Sequence, residues 1–214
     1  MTERVVVVGA SGFGREALDV LEAMQAAGAA LEIVGVVDDQ PSPLNLHRLS
    51  QRQIEYLGTI DDWLARDADE AYLLGIGSPP VRRMLVEKLD ARSRRAFTAI
   101  HPNASVGSRA DIAEGVVICA GAVVSTNVRL ERHVHVNPNA TIGHDSTLGE
   151  FSSLNPGGVV SGEVGIEPGV LIGATATVLQ QLTVGADTTV GAGALVTKNV
   201  PSGVVVKGVP GTWA

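Results

Sequence analysis

The chain has 214 residues, with 16 Lys and Arg against 23 Asp and Glu, for a net charge of −7. That balance excludes a general electrostatic affinity for nucleic acid, though a local basic patch for an anionic cofactor remains compatible with it. A single cysteine, Cys119, excludes an intramolecular disulfide, and no apolar run approaches the length of a membrane span. Thr2-Glu3-Arg4 leads straight into an apolar run rather than a signal peptide. These features together predict a cytoplasmic protein without membrane insertion.

Val5 to Val8 is a β-branched run, fully apolar as a buried parallel strand should be. It ends in Gly9-Ala10-Ser11-Gly12-Phe13-Gly14, and a helical pattern follows from Glu16 to Ala27 with Gly28 as its stop. A second strand over Ile33 to Val37 closes on Asp38-Asp39. The segment Gln40 to Gln53, with two prolines and no period, is expected to be a loop. Thr59 to Arg66 reads as a short helix, Ala71 to Ile76 as a strand, Val81 to Leu89 as a helix, and Arg95 to Ile100 as a last strand. This alternation predicts a small Rossmann-like open parallel sheet of about five strands over residues 1–99.

From Ile100 the period changes. An aliphatic residue falls on every sixth position for seventeen hexads, from Ile100, Val106 and Ile112 through to Val184, Val190 and Val196. The residue after each anchor is usually small or turn-forming, as in Gly107, Asn137, Gly143 and Gly185. A second small or apolar side chain recurs four residues after the anchor, as in Val116, Ala122, Val128 and Val134. Six fits neither an amphipathic helix nor an ordinary strand, whereas three hexads make one triangular turn of a β-solenoid with the anchors facing a narrow core. Residues 100–214 are therefore predicted to form a hexapeptide-repeat parallel β-helix with a short tail. The scarcity of aromatic residues suits so thin a core.

Two groups of residues carry candidate chemistry. In an open parallel sheet, ligands bind at the carboxyl ends of the strands, where glycines let backbone amides approach a phosphate at a helix N-terminus. Gly9, Gly12 and Gly14, Asp38 and Asp39, and Gly75-Ile76-Gly77-Ser78 all occupy such strand ends. The spacing G-x-x-G-x-G departs from the dinucleotide fingerprint, so these are also readable singly as turn glycines and surface acids. Phe13 packs either on its own domain or on a ligand. Among the five histidines, His47 falls in the polar segment and His101 at the junction. His133 and His135 flank the inward Val134, which predicts that both point outward to solvent. His144 follows Ile142-Gly143 and should also project from the solenoid, with Asp145 beside it and Asn137 seven residues earlier. A carboxylate next to an imidazole orients it and favours the imidazolium formed during proton abstraction, as a general base requires. The setting around it offers no serine or cysteine nucleophile, which favours direct transfer.

Taken whole, from about Val5 to Pro210, the chain resembles the nucleotide-sugar acetyltransferases of bacterial glycan synthesis. That family includes bacillosamine-pathway and perosamine N-acetyltransferases and the sialic-acid O-acetyltransferase-like proteins. The resemblance rests on Gly9-Ala10-Ser11-Gly12-x-Gly14, on Asn137 to Asp145, on Gly185 to Asn199, and on Gly208-Val209-Pro210. It implies a left-handed β-helix, with His144 as general base, Asp145 raising its basicity and Asn137 in support. It implies nucleotide-sugar contacts from Ser11, Gly12, Phe13, Asp38, Asp39 and Gly77, and acetyl-CoA lying along Ser153, Ala174 and Ala192. It also implies a homotrimer with active sites between adjacent solenoids, and no metal. Three departures stand out: Phe13 and Ser153 occupy positions where the family often has histidine, and the tail reads Pro210-Gly211-Thr212-Trp213-Ala214 rather than continuing Pro-Ala-Lys. A cationic grip on the CoA phosphate then falls to Lys198 or Lys207.

The expected reaction is acetylation of the 4-amino group of a nucleotide-linked deoxy-sugar. O-acetylation of a sialic-acid-type sugar is the alternative, since the same base activates a hydroxyl. More remote readings are a γ-carbonic-anhydrase-like zinc enzyme using His133, His135 and His144, a non-catalytic nucleotide-sugar-binding protein, and a Rossmann oxidoreductase.

Overall fold

The computed structural model describes residues 2–66 and 69–213. It divides into two compact units, Met1–Pro102 and Asn103–Ala214.

The first unit is built on β1 (Glu3–Val8), α1 (Gly12–Ala26), β2 (Leu31–Val37), α2 (Pro43–Gln51), α3 (Ile60–Leu64), β3 (Ala71–Leu74), α4 (Pro79–Asp90) and β4 (Ala99–Ile100). β1 is the central strand of a parallel three-stranded sheet in the order β2-β1-β3. Val5, Val6 and Val7 are fully buried, as expected of a strand covered on both faces. The five strands expected from the sequence reduce to these three plus two single parallel bridges, Val36 with Tyr56 and Tyr72 with Ala96. The stretch from Arg95 to Ile100 thus gives one bridge and the two-residue β4 rather than a full strand.

The segment Gln40 to Gln53 is not a loop. Ser42 caps a two-and-a-half-turn helix by accepting a hydrogen bond from the Asn45 amide, and Pro43 sits in its first turn. A proline there lacks only an N–H that would go unused, so it starts a helix rather than breaking one. The hydrophobic Leu49 is the buried residue that anchors it. α1 likewise begins four residues earlier than its apolar periodicity suggests, because the second half of the glycine run is already its first turn.

In the second unit, two-residue strands recur every six residues from Ser105–Val106 to Leu195–Val196. Up to Thr177–Val178, each pairs in parallel with the strand eighteen residues on, as in Thr141 with Val159 and Ile142 with Val160. Three hexads therefore make one turn, and about six turns stack into a parallel β-solenoid. The anchors point inward as the period requires: Ile118, Val136, Ile142, Leu154, Val178 and Val196 are all fully buried. The first anchors are the exception, and Val106 is 39% exposed at the start of the stack. The positions four after the anchors line the same core, including the polar Ser146 and Thr188. Both are satisfied there, Ser146 Oγ donating to Ser161 O (2.9 Å) and Thr188 Oγ1 to Pro201 O (2.9 Å).

The corners of the triangle are held by residues in the left-handed region. One column runs Arg109, Asn127, Asp145, Glu163 and Gln181, all with φ between 56° and 62°. A second includes Gly115, His133, Phe151, Gly169 and Asp187. This second column corrects the expectation that His133 and His135 are solvated. His133 is fully buried and His135 is 1% exposed. The His133 ring lies over Gly115, where no Cβ would fit, and stacks on Phe151 at 5.4 Å with an interplanar angle of 9°. Lateral position along a strand does not show what the next turn places on top of a side chain.

Candidate functional site

In the first unit, three strand ends and one helix start converge. Gly9 (φ +111°) takes a hydrogen bond pattern continuous with the sheet, its N–H donating to Val37 O at 2.8 Å. Gly14, in the first turn of α1, lies so close to Gly9 and Gly75 that a Cβ at 14 would collide with the Gly9 carbonyl, and one at 75 would stand 2.5 Å from the Gly14 Cα. This contact draws the helix N-terminus down onto the ends of β1 and β3. Ser11 is its N-cap and spends no side-chain hydrogen bond on the helix. Ser11 and Gly12 are exposed, and no atom stands within 4 Å of a Cβ built at Gly12 or Gly77.

The two aspartates do different work. Asp38 Oδ2 accepts from the Ala10 amide (2.8 Å) and Oδ1 from the Gln40 amide (2.9 Å), so this carboxylate fastens the glycine loop to the end of β2. Asp39 Oδ1 accepts from the Ile60 amide at the start of α3 (2.8 Å). Both line a largely apolar cleft of about 210 Å³ together with Gly9, Gln40, Ile76, Val81 and Met84. Val81 and Met84 are 37% and 59% exposed, unusual for such side chains, and they form its outer wall. Tyr56 donates to Asp38 O (2.9 Å); burial, and then the charge of Asp38, push its phenol pKa up. Beneath the loop after β3, fully buried Arg82 donates from Nη1 to Ile76 O (3.1 Å) and Gly77 O (3.0 Å). Burial pulls its pKa down to about 9, which leaves it charged at neutral pH. Arg82 was not legible as a site residue, because its sequence position is that of an ordinary exposed helix arginine.

On the solenoid, the strand Thr141–Ile142 ends in Gly143 and the turn carries His144 and Asp145. His144 Nδ1 lies 2.7 Å from Asp145 Oδ2. A carboxylate accepts only, so Nδ1 bears the proton, and in the neutral ring the lone pair is then on Nε2. The ring rests on the next turn at Gly162, where a Cβ would come within 2.7 Å of Cε1 and Nε2. With 57% of the side chain exposed, the imidazole is accessible to a reactant. Asp145 is held below the usual aspartate pKa, first by the Asn127 amide and then by His144. Asn127 was missed from the sequence; the signal was its place eighteen residues, one turn, before Asp145.

Asn137 makes its side-chain hydrogen bonds along its own column. It is buried, and its Nδ2 donates to Leu154 O (3.1 Å) and Asn155 Oδ1 (3.3 Å). The residues expected to meet a cofactor separate. Ser153 is 2% exposed, in the ladder between His135 and Leu171. Ala174 and Ala192 occupy one column, joined by the Gly193 N–H donating to Ala174 O (2.9 Å), with Ala192 exposed. Lys198 Nζ lies 4.7 Å from the centroid of the Trp213 ring. Lys207 lines a cleft of about 530 Å³ with Val205, Thr212 and Trp213. Among the described residues, no three His, Cys, Asp or Glu side chains gather as a metal-ligand set within the chain, and no helix is long and apolar enough to cross a membrane.

Residues 4–89 match the family model of the PglD N-terminal domain. No curated protein sequence matches the chain. Among solved structures, the acetyltransferase domain of PglB from Neisseria gonorrhoeae FA1090 is 29% identical, covers 100% of both chains and superposes with a TM-score of 0.85. PerB from Caulobacter crescentus, solved in complex with CoA and GDP-perosamine, is 27% identical with a TM-score of 0.86, covering 100% of this chain and 98% of its own. WeeI from Acinetobacter baumannii AYE is 25% identical over 100% of both chains, with a TM-score of 0.85. The PglB domain has also been solved with acetyl coenzyme A. By its match to the PglD N-terminal domain over residues 4–89 and its full-length likeness to these structures, the chain resembles the nucleotide-sugar acetyltransferases built on a left-handed β-helix.

Proposed function

We propose that the protein transfers an acetyl group from acetyl-CoA to the 4-amino group of a nucleotide-linked deoxy-amino-sugar in bacterial glycan biosynthesis. The observation that carries this reading is the His144–Asp145 pair at 2.7 Å, with the imidazole accessible on a solenoid whose full-length relatives are sugar acetyltransferases. The amine nitrogen adds to the thioester carbonyl as His144 Nε2 takes its proton. Collapse of the tetrahedral adduct releases the CoA sulfur, which leaves as the thiol on receiving that proton, and the amide remains. Asp145, acceptor for Nδ1, steadies the imidazolium between the two proton transfers. A backbone amide beside the thioester stabilises the oxyanion.

The first unit supplies binding energy remote from the reacting amine. The start of α1, from the exposed Ser11 and Gly12 into Phe13, suits the diphosphate as a helix N-terminus does, and the cleft beside Asp39 suits a flat base with an N–H edge. Gly77, with open space where a side chain would stand, leaves room for the sugar. On the solenoid, CoA runs along the column of Ala174 and Ala192. Lys198 is occupied by Trp213, so the phosphate grip passes to Lys207. The homotrimer with active sites between adjacent solenoids, the supporting role of Asn137 and a cytoplasmic location belong to the same proposal.

The test is release of CoA thiol in the presence of UDP-, GDP- or dTDP-linked 4-amino-sugars, with His144→Ala in parallel. Turnover on one nucleotide class, lost in the variant, is expected. Acetylation of sialic acids alone would replace the acceptor, and full activity of His144→Ala would remove the base from the mechanism.

A further inference from the structure

Asn127 and Asp145 occupy equivalent left-handed corners on successive turns, at φ +56° and +59°. Asn127 Nδ2 donates to Asp145 Oδ1 at 2.9 Å, while Oδ2 of the same carboxylate meets His144 Nδ1 at 2.7 Å. Each oxygen thus has one partner, and together the two fix the plane of the carboxylate. We infer that Asn127 is a positioning residue for acyl transfer: it holds Asp145 in the rotamer that keeps the proton of His144 on Nδ1 and the lone pair on Nε2. The inference rests on the assignment of His144 as the base.

Three features of the column support it. The Asp145 side chain is 48% exposed, so no packing would otherwise hold a carboxylate free to turn about its terminal bond. Asn127 is itself fixed, its N–H donating to Ser108 O (3.2 Å), and the preceding Thr126 donates from Oγ1 to the same carbonyl (2.8 Å) and accepts the Asp145 N–H at its own carbonyl (3.1 Å). Three successive turns therefore frame one imidazole. On the other side of Asp145 the column continues with a second carboxylate, Glu163, whose N–H donates to His144 O (2.8 Å). Glu163 Oε2 accepts from Gln181 Nε2 on the turn beyond (3.2 Å). The order Asn, Asp, Glu, Gln gives each acid an amide on its outer side, where an unpaired Asp145 would meet only a like charge. Arg109, one turn before Asn127, is the cation of this column.

Two variants separate positioning from a structural rung. Asn127→Gly keeps the left-handed corner and deletes the donor. Asn127→Asp keeps the shape and replaces the donor with an acceptor; both residue types tolerate this backbone. In each, kcat is expected to fall about tenfold, the scale of one hydrogen bond to a charged group, with KM for acetyl-CoA and amino-sugar unchanged. Proton–nitrogen NMR of the imidazoles reports the tautomer without turnover: His144 is expected to carry its proton on Nδ1 in the wild type and to become a mixture of tautomers in Asn127→Gly. Wild-type kcat and an unchanged tautomer in both variants would overturn the inference. So would a loss of kcat accompanied by a matching loss of folded protein. An inactive wild type overturns the acetyltransferase reading instead, and an active His144→Ala overturns the assignment of the base on which this inference rests. Unaltered Asn127 variants beside an inactive His144→Ala overturn only the positioning role.

Discussion

Gly162 lies against the His144 imidazole so closely that a β-carbon there would stand 2.7 Å from both Cε1 and Nε2. The glycine keeps clear the ring edge that carries the reactive lone pair. Gly162→Ala is therefore expected to turn the imidazole rather than unfold the solenoid, because the colliding atoms are the far end of a side chain. Displacement of a base by about 1 Å costs on the order of a hundredfold in rate. Kinetics and a melting curve on the same sample check this: kcat should fall by that order with Tm nearly unchanged.

Asp145 has its pKa lowered, first by Asn127 and then by His144, so it stays ionised through the range in which an imidazole titrates. Being a depressed acid, it contributes to stability above its unfolded pKa and loses that contribution as pH falls through the folded value. Activity should then fall on the acid side as Asp145 takes up its proton, with the active form above that ionisation. Asp145→Asn removes the charge that favours the imidazolium, so the plateau should fall by about a hundredfold or more. A pH profile of kcat/KM measures both.

Asp38 and Asp39 should respond differently to substitution. Asp38→Ala frees the Ala10 and Gln40 amides and loosens the glycine loop, at a cost of about 2 kcal/mol on the scale of hydrogen bonds to a charged group. Asp39→Ala frees only the Ile60 amide and leaves that loop fastened, so its effect should appear mainly as a raised KM for the nucleotide-sugar. Urea unfolding of the two variants, set beside their KM values, tests the division.

Lys198 and Lys207 should separate in cofactor binding. Lys207→Ala is expected to weaken CoA about tenfold while leaving dephospho-CoA unaffected, as loss of one charge-assisted contact to a phosphate would. Lys198→Ala should alter the fluorescence of Trp213 with little change in affinity. Titration calorimetry with the two ligands distinguishes them, and an equal loss for both would contradict the assignment to Lys207.

Much of this was legible in the chain itself. The period of six fixes which side chains enter the solenoid core, because a two-residue strand and a four-residue corner leave no other register that buries Ile118, Ile142 or Val178. His144 and Asp145 could be paired from the sequence because adjacent residues at a tight corner need no tertiary information to meet. The glycine run and Asp38-Asp39 fell at strand ends for the same local reason. Helix α2 was hidden because its prolines read as breaks until Ser42 is seen as a cap and Pro43 as a first-turn residue. The rest depended on stacking. Whether His133 is wet or buried is decided by Phe151, one turn later; whether Asp145 is held or free is decided by Asn127, one turn earlier. The sequence determined the rungs and what each presents, and only the tertiary structure decided which rungs touch. Contacts between turns join residues eighteen apart, and hydrophobic periodicity sets the direction of a side chain without setting its neighbour.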